Sequence, residues 1–137
     1  MLATSTNNNR LSLFSRDTTS GILTLQQTLA NNTEGVQGLD KAVDVVISAD
    51  GQSVYTVGRG IDNAIAVFNR SPETGTLTFV EILLDGVDSV DGLNGASGLA
   101  ISPPDNYIYI ASRNDNAVAA FRRHPDTGKL NYIEVLT

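Results

Sequence analysis

The sequence predicts an all-β fold, a segment of a β-propeller with four-stranded antiparallel blades and slightly under three of them. Three observations predict it. Phe14, Arg16, Gly21, Leu23 and Leu29 return as Phe68, Arg70, Gly75, Leu77 and Leu83, then as Phe121, Arg123, Gly128, Leu130 and Leu136, a period of 54 and then 53 residues. Each period is filled with short apolar runs of strand length separated by Gly, Pro, Asp and Asn. Four such runs fit in one period, which is the strand count of a propeller blade.

The elements follow in order. Leu2-Ala3-Thr4-Ser5 aligns with Tyr109-Ile110-Ala111-Ser112, so Met1 falls inside a second strand, and Leu11-Ser12-Leu13-Phe14 is the third strand of that blade. Ile65-Ala66-Val67-Phe68 and Val118-Ala119-Ala120-Phe121 echo it. The turns Asn69 to Gly75 and Arg122 to Gly128 hold a Pro that presets φ and a Gly that supplies the positive φ closing a hairpin. On the outgoing strand, strict alternation puts Leu77, Phe79 and Glu81 on one face and Thr78, Val80 and Ile82 on the other. Gly38 to Ser48 matches Gly92 to Ser102, and these runs read as strands buried on both faces. Turns at 49–52 and 103–106 lead into Ser53 to Val57 and Tyr107 to Ala111, and Asp62-Asn63-Ala64 and Asp115-Asn116-Ala117 open the strands after those.

This gives a single partial propeller domain over 1–137, with a partial first blade at 1–31, a second at 38–84 and a third at 92–137. Eleven strands leave an open arc, because propellers close with about four to eight blades. Unpaired edges and uncovered blade faces then call for neighbours: the remaining blades of a parent propeller, or self-association through the open blade edges.

Composition limits the partners. With 9 basic and 15 acidic residues the net charge is −6, without the basic stripe that concentrates a protein on phosphate backbones or anionic lipid. Neither nucleic acid nor membrane is an expected partner. No run approaches the roughly 18 apolar residues of a spanning helix. Cysteine is absent, which removes disulfides and thiolate chemistry.

His124, the single histidine, sits in a hairpin at the position of Ser71 and Asp17, without a placed partner for general-base work. No Ser, His and carboxylate set can be assembled, and no Gly-rich phosphate loop occurs, so no catalytic residue and no cofactor is assigned. Asp85-Gly86-Val87-Asp88-Ser89-Val90-Asp91-Gly92 offers oxygen ligands, but Asp at every third residue does not match an EF-hand loop, and it reads as a solvated connection between blades with no metal. Arg16, Arg70 and Arg123 recur, as do Arg59 and Arg113. Their recurrence points to pairing with carboxylates or loop carbonyls at blade edges; the competing reading is a ring of guanidinium groups that binds an anion. The ligand-binding candidates are Arg59, Arg113, Asp62 and Asp115, set against the ordinary tendency of Asx residues to cap their own turns.

Gly-Leu-x-x-Ala followed by Ile-Ser, a Tyr-bearing strand, Asp-Asn-Ala, an apolar strand ending in Phe, and x-Thr-Gly-x-Leu resembles the lactonase-type seven-bladed propellers, a group with bacterial 6-phosphogluconolactonases and fungal carboxymuconate-cyclising enzymes. The resemblance covers essentially the whole chain. It implies two functional alternatives: a non-catalytic binding or scaffold part of a larger protein, or a segment of a lactone hydrolase whose catalytic residues lie elsewhere. It also implies His and Arg at the start of a blade's first strand, where this chain has Val43-Asp44-Val45 and Ser97-Gly98-Leu99.

Overall fold

The computed structural model describes residues 1–104 and 106–137; Asp105, in the turn read at 103–106, lies outside the described residues. Three antiparallel sheets follow one another along the chain. The first holds β1 (Leu2–Ser5), β2 (Arg10–Arg16) and β3 (Leu23–Ala30). The second holds β4 (Ala42–Ile47), β5 (Ser53–Gly58), β6 (Ala64–Arg70) and β7 (Leu77–Leu84). The third holds β8 (Ala96–Ile101), β9 (Tyr107–Ser112), β10 (Ala117–Arg123) and β11 (Leu130–Leu136). Each is an up-and-down meander, a propeller blade, and the first lacks one strand.

The outer hairpins share one construction. Gly21, Gly75 and Gly128 have φ of 75°, 76° and 71°. Their N–H groups donate to the carbonyls of Asp17, Ser71 and His124 at 2.9, 2.8 and 2.8 Å. Glycine is needed there because an L side chain disfavours that conformation.

Each outer strand also carries a bulge. The register shifts at Leu13/Phe14, Val67/Phe68 and Ala120/Phe121, leaving Gln26, Val80 and Ile133 without a register partner. The bulge overturns the strict alternation expected for 77–82. Leu77 and Phe79 pack toward the first blade, Val80 and Leu83 toward the third, and Glu81 turns to the third as well. An inserted residue reverses the facing of everything after it.

Two seams form the core. Leu11, Leu39, Val54, Ala66, Phe68 and Leu77 fill the seam between the first and second blades. Tyr55, Val57, Ile65, Val67, Leu93, Ile108, Ile110 and Phe121 fill that between the second and third. Phe68 meets Phe79 edge to face at 5.7 Å, and Phe121 meets Tyr132 likewise at 5.5 Å. The strand buried throughout is β5, not the expected β4 or β8. The cause is topological: β4 and β8 are edge strands, paired on one side only, whereas β5 lies inside its sheet and between both seams.

Truncating Phe68, which is 0% exposed, to alanine should cost about 3–5 kcal/mol of unfolding free energy. Leu25→Ala, in the slot of Phe79 but 55% exposed on the first blade, should cost under about 0.5 kcal/mol. Urea denaturation of both variants checks the contrast; equal losses would mean the seams do not carry the stability.

Candidate functional site

The densest polar constellation lies in the seam between the second and third blades. Arg123, at the end of β10, is 4% exposed and makes three side-chain contacts across the seam. Its Nε donates to the Tyr55 hydroxyl at 2.9 Å, and its Nη2 donates to Asp50 Oδ2 at 2.8 Å and Ser53 Oγ at 3.1 Å. Tyr55 in turn donates to the Gly128 carbonyl at 2.8 Å. A buried guanidinium needs this much hydrogen bonding, since a missing partner would leave a charge stranded out of water. Among the described residues, the Arg70 side chain, one blade back, donates only to the Gly51 carbonyl, at 3.2 Å.

Electrostatics follow from this geometry. Partial burial opposes ionisation of Asp50 and is its largest single influence. The Ser48 hydroxyl, the Gln52 N–H and the Arg123 guanidinium together outweigh it and hold the carboxyl below the usual range. Burial likewise opposes the charge on Arg123, but the Asp50 and Tyr55 contacts raise its pKa above the ordinary value. Burial is also what pushes the Tyr55 hydroxyl up, against the Ser53 and Arg123 contacts. With Nε and Nη2 of Arg123 and the Tyr55 hydroxyl committed inside the protein, this set is a structural rivet rather than a place for a ligand.

The candidates Arg59, Asp62, Arg113 and Asp115 lie at the opposite end of the sheets, in the β5–β6 and β9–β10 turns. Arg59 and Arg113 are exposed, and among the described residues neither guanidinium has a hydrogen bond or an ion pair. Their backbones serve the fold instead, donating to the Lys41 and Gly95 carbonyls at 3.4 and 3.2 Å. No hydrogen bond or ion pair joins the four candidates to one another among the described residues. The Asx side chains do not cap their own turns. Asn63 Oδ1 accepts from Gly95 N–H at 3.2 Å on the next blade, and Asp115 Oδ2 accepts from Asn94 N–H at 2.9 Å.

Asp115 also approaches Asp85 and Asp91, the three carboxylates offering oxygens within 4.8 Å of one another. This trio has the donor chemistry for a hard cation. Each member already accepts a backbone N–H: Asp85 from Leu93 at 3.0 Å, Asp91 from Gly92 at 2.9 Å, and Asp115 from Asn94. The sequence points to Asp88 in this group. The fold substitutes Asp115, 24 residues beyond Asp91, because the β9–β10 turn folds back over the blade connection. The other singled-out residue, His124, is exposed, and its backbone closes its hairpin by donating to Lys129 O at 2.9 Å and accepting from Gly128.

The first-strand positions are also structural. Asp44 Oδ2 accepts from Leu99 N–H at 3.0 Å, bridging β4 to β8.

The sequence profile described as Lactonase, 7-bladed beta-propeller, matches residues 5–134. The chain belongs to this lactonase family of seven-bladed β-propellers. A 6-phosphogluconolactonase of Formosa agariphila is 29% identical over 91 residues, 66% of this chain and 24% of that protein. The periplasmic gluconolactonase of Pseudomonas aeruginosa superposes with a TM-score of 0.78 at 26% identity, covering 99% of this chain and 39% of the other. A Bacteroides uniformis protein provisionally named 6-phosphogluconolactonase gives 0.76 at 27% identity, covering 98% and 39%. The chain thus spans well under half the length of these lactonase relatives.

The seam makes two testable claims for this lactonase-family arc. Tyr55→Phe strands the Gly128 carbonyl and one Arg123 donor and should cost about 1–3 kcal/mol in urea unfolding. The folded pKa of Asp50 lies below its unfolded value of about 3.9. Its contribution is therefore fully present above that pH and is lost as pH falls through the folded value. Asp50→Asn should flatten this acid limb in thermal melts between about pH 5 and 2.

Proposed function

We propose that this chain acts as a non-catalytic binding and scaffolding arc of a lactonase-type propeller, presenting loops at one end of its blades to a hydroxylated carboxylate of the sugar-acid class. The observation that carries this reading is the use made of the first-strand positions. Where the resemblance implies an Arg and His pair, β4 and β8 place Asp44 and Gly98, and Asp44 is spent on the Leu99 amide. Neither offers the general base or the cationic clamp that lactone hydrolysis requires. The guanidinium groups of Arg59 and Arg113 project from the two β-turns and match a carboxylate, while Asp62 and Asp115 in the same turns suit hydroxyl groups.

The alternative reading, a segment of a lactone hydrolase whose catalytic groups lie in blades outside these residues, draws support from the names of the Formosa and Pseudomonas relatives.

Two experiments on the 137-residue chain separate them. Gluconate titrated against the ¹⁵N-labelled protein should perturb amides of the 59–63 and 113–116 turns, and Arg59→Ala with Arg113→Ala should abolish the shifts while His124→Ala leaves them intact. Gluconolactone hydrolysis should proceed at the buffer rate. Lactone turnover above that rate would favour the hydrolase reading, and absence of gluconate shifts would remove the binding role.

A further inference from the structure

The chain's one Asn-Gly pair, Asn94-Gly95, lies in the tight turn that leads into β8. In such a pair the backbone nitrogen of the glycine can attack the asparagine side chain, because no Cβ crowds its approach. Every other asparagine of the chain precedes a residue that carries one. The structure restrains both reacting groups. Gly95 is buried, with φ of 72°, and its N–H donates to Asn63 Oδ1 on the second blade at 3.2 Å. Asn94 is partly buried, and its Oδ1 accepts from Asn114 Nδ2 at 3.2 Å. The turn itself is pinned within the third blade. Ala96 N–H donates to the Leu93 carbonyl at 3.1 Å, Asn94 N–H to Asp115 Oδ2 at 2.9 Å, and Arg113 N–H to the Gly95 carbonyl at 3.2 Å. Of these contacts the one from Asn63 crosses between blades, and it occupies the proton that must leave before Gly95 can react.

The second blade shows what this slot accepts. One period earlier the same turn reads Asp40-Lys41, with Asn9 Oδ1 accepting from Lys41 N–H at 2.9 Å. Asp40 Oδ2 accepts from Ile61 N–H at 2.8 Å, in the loop that carries Asn114 on the third blade. A carboxylate at this position is therefore compatible with the fold, and the Asn114 amide can donate to a carboxylate oxygen as it donates to the Asn94 carbonyl.

We propose that Asn94 is a site of covalent modification, converting to aspartate and isoaspartate by way of a succinimide, with the Asn63 contact between blades setting the rate. The Gly95 nitrogen gives up its proton and bonds to Asn94 Cγ, the bond from Cγ to the side-chain nitrogen breaks, and ammonia leaves. Water then opens the ring at either carbonyl. The net exchange replaces an amide by a carboxylate and consumes water, with no oxidant or reductant. Opening of the seam frees the Gly95 N–H, as local unfolding frees any protected amide. The product adds a negative charge beside Asp115, and its isoaspartate form lengthens the backbone inside a turn that is closed on both sides. Asn94 thus records how long the second and third blades have spent apart.

Incubation of the 137-residue chain at neutral pH, followed by peptide mapping with mass spectrometry, tests this. Aspartate and isoaspartate should accumulate first at position 94, and more slowly than in the same chain held unfolded in urea. Asn63→Ala should speed the conversion about three- to tenfold, the factor that loss of one net hydrogen bond gives. Asn63→Asp keeps an acceptor oxygen for the Gly95 N–H and should stay close to the unaltered rate. Circular dichroism melts set the incubation temperature below the unfolding transition of all three chains, so that a difference in rate reports the local contact. An Asn94 that stays unmodified in the folded chain would overturn the proposal. So would conversion as fast in the folded chain as in urea, or equal rates in Asn63→Ala and Asn63→Asp.

Discussion

A four-stranded blade has two faces, and it can cover neither by itself. Everything else in this molecule answers to that constraint. The apolar residues of β5 and β6 are buried because each side of the second sheet meets a neighbour, and on the third sheet the slots that face away from the second blade, such as Tyr109 and Val118, stand exposed because that side does not. Burial is thus set by a strand's place in the stack more than by its own sequence: Ile65 and Val118 occupy equivalent slots of equal β-propensity, at 0% and 40% exposure.

Polar contacts then fix how the stacked faces register. Apolar packing alone tolerates sliding, since it is nondirectional. The carboxamide of Gln27, the carboxylates of Glu81 and Asp44, and the guanidinium of Arg123 each find defined partners on the adjoining blade. The buried Arg123 set is the most demanding of these, because a partial set of partners would leave charge in a dry seam. The proposed binding role draws on the same division of labour. One end of the sheets is committed to internal pairing, and the other leaves Arg59 and Arg113 toward solvent.

Much of the fold was legible in the sequence. The 54 and 53 residue spacing of Phe14, Phe68 and Phe121 marks the blades, and the alignment of Leu2 with Tyr109 marks the short β1. The bulge at Val80 was not legible, since nothing in Phe79-Val80-Glu81 departs from ordinary alternation; only the partner strand reveals the extra residue. The seam contacts were hidden for a related reason. Arg123 lies 68 residues from Tyr55 and Glu81 lies 49 from Leu130, and side-chain identity carries no address over that distance. One signal was available: Gln27, Glu81 and Glu134 share a slot in all three outer strands, and a polar residue held at a constant place beside a core Leu marks a repeated contact. For the candidate site, the turn positions of Arg59 and Arg113 were legible, but the joining of Asp115 to Asp85 and Asp91 depended on how the turn lies over the connection.

Blade-on-blade seams, and not the individual sheets, hold the structure together. Amide hydrogen exchange read by mass spectrometry tests it most directly. Protection should be greatest in β5, β6 and β10, where seam burial is deepest, and least in β3, whose face is open. Equal protection across all three sheets, or slowest exchange in the edge strands β4 and β8, would contradict it.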